Sequence, residues 1–146
     1  MSRRPTPCPE EAAFLDLLRT TDVLSRAPAH VLKSEDLSST QYNVLRILRG
    51  APGGLPCGEI AHRMITRDPD ITRLLDRLEK RGLISRSRPA DDRRTVIAAI
   101  SPAGLDLLAR LDKPVQDTHR RQLSHLGPAR LRALCDLLTD CRSHIM

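Results

Sequence analysis

The stretch Asp68–Ile100, DPDITRLLDRLEKRGLISRSRPADDRRTVIAAI, decides the fold of this chain. Apolar residues at positions 71, 74, 75 and 78 follow the i, i+3, i+4, i+7 spacing of a helix with one buried face. Asp68 followed by Pro69 is typical of a helix start, and Gly82 is typical of a helix end. The pattern then becomes extended over 83–88 and 95–100, on either side of a charged hairpin tip at 89–94. The stretch therefore predicts a helix from Asp68 to Arg81 followed by a two-stranded β-hairpin.

Two further helices are predicted immediately upstream. Residues 55–65 have apolar residues on one face and indicate a short helix. Ser38 and Gln41 have the spacing of a capping box, in which each side chain accepts a backbone N–H at a helix start. The helix that begins there is predicted to end at the Ala-Pro-Gly-Gly turn of residues 51–54.

The two ends of the chain also have helical patterns. A helix is predicted from Glu10, with Pro28 interrupting or restarting it. Ser101 before a proline predicts the start of a long helix, and Gly127 before another proline precedes a second one. The fold class is thus mainly α with a small β-hairpin, an α+β arrangement.

Composition and charge narrow the class of partner. The chain has 146 residues and a formal net charge of +6, which favours a polyanionic partner such as nucleic acid. Its only aromatic residues are Phe14 and Tyr42, as expected for a core of helices packed through aliphatic side chains. Neither a membrane-length apolar run nor a signal-peptide core is apparent, so we expect a cytoplasmic protein with no membrane partner.

Patterns typical of catalysis or metal binding are not apparent in the sequence. The five histidines lack metal-ligand spacing, and neither a catalytic triad nor a Gly-rich phosphate loop is found. We therefore expect no enzyme activity, no cofactor and no metal. The cysteines lie at positions 8, 57, 135 and 141 without a Cys-x-x-Cys pair, which favours free thiols in a reducing compartment.

The order of elements between residues 55 and 100 is helix, turn, helix, strand, hairpin, strand, which is that of a winged helix-turn-helix. A helix about 10–12 Å wide fits the major groove of DNA, which is about 12 Å across. Within this frame the stretch Ser39–Leu126 resembles the MarR (multiple antibiotic resistance regulator) family. The resemblance rests on Gly58-Glu-Ile-Ala61, on residues 71–84, and on Asp92-Arg-Arg94 followed by the strand that ends at Ser101.

The resemblance implies a division of the chain and a set of DNA contacts. It implies a flexible arm (1–9), an N-terminal dimerisation region (10–37), a DNA-binding lobe (38–101) and C-terminal dimerisation helices (102–146). The helix from Asp68 would be the recognition helix, with Asp70, Thr72 and Arg73 facing base edges and Arg77 nearer to phosphate. Arginine can donate two bonds to guanine, and threonine can contact a thymine methyl.

The resemblance also assigns roles outside that helix. Arg94, beside Arg93 in the wing, matches the arginine that enters the minor groove, and Asp92 matches the aspartate that holds the hairpin in shape. At the start of an earlier helix, Ser39, Thr40 and Gln41 are expected to contact phosphate, because free N–H groups and the helix dipole attract anions there.

Two positions depart from the pattern of the family. Asp68 and Asp70 stand where many members have uncharged residues; we expect Asp68 to act as a helix cap, and the role of Asp70 stays open. Phe14 stands where peroxide-sensing members have their reactive cysteine, which argues against thiol sensing by the same route.

Dimerisation is expected from the ends of the chain, and effector control is what the resemblance implies. Their apolar helix faces indicate that a second copy covers them, as in the two-fold dimers of the family. A two-fold dimer sets its recognition helices about 34–36 Å apart, so a near-palindromic operator is expected. The family implies a repressor released by a small phenolic or anionic effector, for which Phe14, His30, Tyr42 and Arg46 are candidate pocket residues.

Other hypotheses remain open at this stage. The first alternative is a thiol-based redox regulator of the same fold, acting through one of the four cysteines. The second is a winged-helix module that binds protein rather than DNA. For the recognition helix itself, the alternative is that Arg73 and Arg77 form an ordinary solvated helix face.

Overall fold

The computed structural model describes residues 4–146, which fall into two compact units. The first unit contains the chain up to Pro28 together with Asp117–Met146, and the second contains Ala29–Gln116. The helices are α1 (Pro9–Lys33), α2 (Ser39–Arg49), α3 (Cys57–Arg63), α4 (Ile71–Lys80), α5 (Pro102–Leu123) and α6 (Gly127–Ser143), with a 3₁₀ turn at Ser124–Leu126. The strands are β1 (Leu55–Pro56), β2 (Ile84–Ser87) and β3 (Ile97–Ile100). The predicted fold class, mainly α with a small wing, is confirmed.

The second unit contains a three-stranded antiparallel sheet in the order β1-β3-β2. β2 pairs with β3 so that Ile84 lies opposite Ile100, and β1 pairs with the same strand so that Leu55 lies opposite Ala98. Ala98 is fully buried at the centre of this sheet. The sheet thus joins the hairpin to the segment that precedes α3.

The prediction of a helix from residue 55 is wrong for its first two residues, which form β1. β3 would otherwise have a free edge, and the extended Leu55–Pro56 segment occupies it. The helix that follows is Cys57–Arg63. The other two strands are each shorter than the predicted 83–88 and 95–100, since β2 lacks one residue at each end and β3 lacks the two that follow the hairpin tip.

The core of the second unit is aliphatic, as the composition predicts. Besides Ala98 of β3, the residues with less than 1% exposure come from α2, α3, α4 and α5, and they include Leu45, Ile60, Leu75 and Leu108. In α4 the predicted stripe places Leu74, Leu75 and Leu78 in this core, with Ile71 half-buried beside it. The apolar face of α4 therefore fixes which of its residues face outward.

Two of the predicted helix starts, those of α2 and α4, can be checked at the level of single bonds. The Ser38 hydroxyl accepts the Gln41 N–H at 3.1 Å, and the Gln41 side-chain oxygen accepts the Ser38 N–H at 3.0 Å, which confirms the capping box. At the start of α4 the cap is Asp70, not Asp68. The prediction for Asp68 is wrong because its carboxylate accepts the Asp70 N–H at 2.8 Å and closes the turn before the helix.

The start of α5 packs closely against the sheet. The Ser101 hydroxyl accepts the Gly104 N–H at 3.1 Å, in agreement with the predicted helix start. A Cβ on Gly104 would lie 2.4 Å from the Leu83 carbonyl oxygen and 2.7 Å from an Ile100 side-chain carbon. Only a residue without a side chain permits this approach.

In the first unit, α1 continues through Pro28, so the predicted interruption there is wrong. A proline lacks the N–H that would bond to the carbonyl four residues earlier, which is that of Leu24. The Gln122 side-chain amide donates to this carbonyl at 3.0 Å. A side chain of α5 therefore replaces the missing backbone bond.

Two further expectations concern the ends of the chain and its surroundings. The predicted arm over residues 1–9 lies in part outside the described residues, and α1 begins at the last of its positions, Pro9. In the described residues, no helix combines the length and the apolar character that crossing a membrane requires.

Candidate nucleic-acid interface

The outward face of α4 is polar and basic. Thr72, Arg73 and Arg77 are exposed, whereas Leu75 and Leu78 on the opposite face are fully buried. Since the buried leucines fix the rotation of the helix, the three polar residues form a row that is free to contact a ligand. This row contains three of the four residues expected in the recognition helix.

The fourth residue, Asp70, is directed toward its own helix. Its carboxylate accepts the Arg73 N–H at 3.1 Å and lies 3.9 Å from the Arg73 guanidinium. Both side chains are largely exposed, at 71% for Arg73 and 58% for Asp70, so this ion pair is weak. Asp70 therefore caps α4 and lies beside the arginine that is expected to read bases.

The tip of the hairpin is held by hydrogen bonds within the hairpin itself. The Asp92 carboxylate accepts the Arg94 N–H at 3.0 Å and the Thr95 hydroxyl at 2.8 Å. The pKa of Asp92 is lowered chiefly by the Thr95 hydroxyl and then by the Arg94 amide. From the other side of the turn, the Arg88 guanidinium donates to the Arg93 carbonyl oxygen at 2.6 Å. The side chains of Arg93 and Arg94 are exposed at this tip.

A cluster of charged residues joins the hairpin to α4. The Arg86 guanidinium, on β2, donates to the carboxylates of Asp76 and Glu79, the latter at 3.1 Å. The Arg86 backbone N–H donates to the other Glu79 oxygen at 3.0 Å. The Arg86 side chain is only 22% exposed, and its bonds to Glu79 and then Asp76 raise its pKa. We call Arg86, Asp76 and Glu79 the Arg86 cluster.

The predicted residues line two depressions on either side of α4. An open groove of about 760 Å³ lies between the start of α2 and α4, and Thr40, Gln41, Asp70, Arg73 and Arg77 are among its lining residues. We call it the α2–α4 groove. Its other charged residues are Lys33, Asp36 and Asp68, so acidic and basic groups are mixed there.

The second depression, of about 430 Å³, lies between α4 and the hairpin, and we call it the α4–wing cleft. Thr72 and Arg94 both contribute to its lining, as does Arg86. The second unit therefore brings together the expected readers on α4, the wing arginine and two of the expected phosphate contacts of α2. Ser39 is exposed at the first position of α2 but does not line the groove.

The four candidate effector residues do not form one site within either unit. Phe14 is exposed in the first unit, and His30 is exposed in the second. Tyr42 and Arg46 do lie together, with the Arg46 guanidinium carbon 5.7 Å from the centroid of the Tyr42 ring. This distance is within the range of a cation–π contact.

The cysteines and the metal-binding side chains add no second site. All four thiols are free, and Cys8, Cys135 and Cys141 are exposed. Among residues 4–146, no three side chains of His, Cys, Asp or Glu come together in a way that would hold a metal ion.

Neither Arg86 nor Arg88 was predicted from the sequence as part of the site. A signal for the first was present, because Asp76 and Glu79 are three residues apart and must share one helix face. The identity of their partner depends on how the hairpin folds back over α4, which no local pattern specifies.

Comparisons with a family model and with known proteins give several similar chains. The MarR family model matches residues 37–96. The crystal structure of a MarR transcription factor from Planctomyces limnophilus is 41% identical, covers 93% of this chain and 98% of that one, and has a TM-score of 0.71.

Two other relatives have names that describe a function. The homoprotocatechuate degradative operon repressor of Escherichia coli is 24% identical over 110 residues, which are 75% of this chain and 74% of the repressor. The crystal structure of NadR in complex with 4-hydroxyphenylacetate is 25% identical, covers 94% of this chain and 97% of that one, and has a TM-score of 0.77. From the identity and coverage of the Planctomyces protein together with the family match, this chain belongs to the MarR family of transcription regulators.

Proposed function

We propose that this regulator is a homodimeric repressor that binds a near-palindromic duplex with α4 in the major groove and the hairpin tip in the adjacent minor groove. The observation that carries the proposal is the exposed row of Thr72, Arg73 and Arg77 beside the exposed arginines of the hairpin, all in one compact unit. The name of the Escherichia coli relative supports the repressing sign. The regulator acts by binding DNA in the cytoplasm and not by catalysis.

Each element has a distinct role in this proposal. Thr72 and Arg73 read base edges, whereas Arg77 pairs with phosphate. The wing arginines Arg93 and Arg94 enter the minor groove, where the negative potential attracts guanidinium groups. Asp70 supports Arg73 by capping the helix and pairing with its guanidinium.

The start of α2 supplies further contacts with the DNA backbone. The Gln41 N–H and side-chain oxygen are used within the capping box. Ser39 and Thr40 occupy the first two helical positions, whose N–H groups have no partner within a helix. These two residues, with the Gln41 amide nitrogen beside them, therefore face the phosphate.

Dimerisation is supported by apolar side chains that remain exposed in the first unit. On α1 these include Phe14, Leu18 and Val23, which are 53–59% exposed. On α6, Leu137 is 64% exposed. Single exposed apolar residues are ordinary, but several on helices of one unit indicate a surface that a second copy covers.

Binding to duplex DNA can be tested by fluorescence anisotropy at several salt concentrations. A duplex selected from a randomised pool should bind with a Kd that rises about 10³–10⁵-fold between 50 and 200 mM salt, if each dimer neutralises roughly 6–10 phosphates. Arg94→Ala should weaken binding to every sequence, whereas Arg73→Ala should change which sequence is preferred. Equal losses on all sequences for Arg73→Ala would reject its role in base reading.

The dimer can be tested by sedimentation of a variant that lacks residues 127–146. We expect it to lose both dimerisation and DNA binding, because α6 then no longer covers its partner surface. A monomer that still binds the selected duplex would contradict the proposed assembly.

We further propose that a small phenolic acid releases the regulator from DNA. The structure of NadR with 4-hydroxyphenylacetate supports this chemistry, as does the Tyr42–Arg46 contact, which offers an aromatic face and a cation. His30, which lies in the same unit as Tyr42 and Arg46, is a further candidate residue for this pocket. Titration of the DNA complex with 4-hydroxyphenylacetate tests the class of ligand, and Arg46→Met should weaken the response without loss of DNA binding.

A further inference from the structure

We propose that Arg86 is a positioning residue that fixes the hairpin against α4, so that the major-groove and minor-groove contacts act as one unit. The inference rests on the proposed function, in which α4 and the hairpin tip contact neighbouring grooves. It assigns to Arg86 no contact with DNA.

The bonds of the Arg86 cluster connect two elements that meet the DNA separately. β2 is an edge strand of the sheet, and its Arg86 N–H donates at 3.0 Å to Glu79 on α4. The same residue directs its guanidinium to Asp76 and to the second Glu79 oxygen. Backbone and side chain of one residue therefore both bind Glu79, and the side chain also binds Asp76 about one turn earlier in α4.

The bonds at the hairpin tip serve a different purpose. The bonds of Asp92 to Arg94 and Thr95, and that of Arg88 to Arg93, join residues of the hairpin to each other. They set the shape of the tip but not its distance from α4. The Arg86 cluster links β2 to α4, whose leucines are fixed in the core.

Arg86 also neutralises negative charge on α4. Asp76 and Glu79 lie on the helix that is proposed to enter the groove, and unpaired carboxylates would repel the phosphates on its sides. The Arg86 guanidinium binds both, and its bond to Glu79 lowers the pKa of that carboxyl group. Both bonds come from one guanidinium nitrogen, Nη2, so a lysine would retain the charge but would have to bring its single ammonium group to the same point between the two carboxylates.

A double-mutant cycle on DNA affinity tests the positioning role. Arg94→Ala is measured by anisotropy on the selected duplex, once in the wild-type protein and once in Arg86→Met. If Arg86 holds the tip in register, the loss caused by Arg94→Ala should shrink in Arg86→Met by about tenfold, a coupling typical of residues in one network. A change in folding stability alone would not alter this ratio.

Two matched controls use the same chain. Arg81→Met removes an arginine that follows α4 and donates to the Glu35 and Asp36 carbonyls, away from the hairpin, and should leave the loss from Arg94→Ala unchanged. Thr72→Ala should have the same effect in Arg86→Met as in the wild type, because the rotation of α4 is set by its leucines.

The conservative variant Arg86→Lys should restore only part of the coupling between positions 86 and 94.

The outcomes separate this inference from the function on which it rests. An Arg94→Ala loss of equal size in both backgrounds overturns the positioning role while DNA binding stands. Failure of the wild-type protein to bind any duplex overturns the proposed function itself. If Arg86→Met does not fold, the double variant Asp76→Ala with Glu79→Met removes both sets of acceptor oxygens while Arg86 stays in place, and the same ratio decides.

Discussion

Replacement of Asp70 distinguishes a helix cap from a base-reading residue. Its carboxylate accepts the Arg73 N–H at 3.1 Å, and loss of such a cap in Asp70→Ala should lower the free energy of unfolding by about 1 kcal/mol. For a chain of this size that corresponds to a fall in Tm of about 3 °C. Asp70→Asn keeps an equally good capping side chain and loses only the ion pair at 3.9 Å.

The size of that ion pair can be bounded from the geometry. Two unit charges 3.9 Å apart interact by about 1 kcal/mol in water. Because both side chains are more than half exposed, salt and side-chain entropy reduce the contribution of the ion pair to a few tenths of a kcal/mol. Its loss should therefore lower the Tm by less than about 1 °C. Thermal denaturation should therefore rank the proteins as wild type, Asp70→Asn just below it, and Asp70→Ala clearly lower.

Whereas both substitutions of Asp70 should lower the thermal stability, Asp70→Asn should not lower the affinity for DNA. If Asp70 only caps α4 and supports Arg73, its removal takes a negative charge away from the phosphates, and the Kd of Asp70→Asn should fall slightly at low salt. If instead the Asp70 carboxylate accepts a hydrogen bond from the amino group of a cytosine, Asp70→Asn should lose about 5- to 150-fold in affinity for the selected duplex and none for unrelated DNA. A sequence-dependent loss above about tenfold in Asp70→Asn would refute the capping argument.

Three other predictions follow from single contacts. Gly104→Ala should lower the free energy of unfolding by about 1–3 kcal/mol in a urea titration, although alanine normally favours helices, because its Cβ would lie 2.4 Å from the Leu83 carbonyl oxygen. Gln122→Ala should cost about 1 kcal/mol in the same assay by leaving an α1 carbonyl without its partner; an unchanged midpoint would show that water replaces the bond. The pKa of Asp92 is lowered in the folded protein, chiefly by the Thr95 hydroxyl. The ionised carboxylate therefore contributes its full stabilisation above the pKa of the unfolded chain, near 4, and this stabilisation is lost as the pH falls through the lower pKa of the folded state. Asp92→Asn should therefore reduce the loss of stability below about pH 4, measured by thermal melts across pH.

Those features of the fold that depend on neighbours in sequence could be predicted. The leucine spacing of α4 requires one buried face, and the Ser38–Gln41 capping box involves residues three apart. The charged segment between two extended stretches predicted the hairpin. For the same reason the candidate readers Thr72 and Arg73 could be located, because the period of the helix fixes which residues face away from the core.

The features that could not be predicted depend on residues far apart in the chain. β1 is two residues long, too short to show a period, and it exists because β3 offers it an edge. Pro28 remains inside α1 because of an amide 98 positions away from the carbonyl that it binds.

The sequence alone thus determined the helices with a marked apolar stripe, the wing and the residues that face outward, because these follow from side-chain period and from bonds that span one turn. The tertiary structure decided the third strand, the continuity of α1 and the partner of Asp76 and Glu79. In the first two a backbone polar group finds its partner only when segments distant in the chain pack together. Arg86 is only seven to ten positions from Glu79 and Asp76, but it reaches them only because the hairpin folds back over α4, and no local pattern specifies that packing.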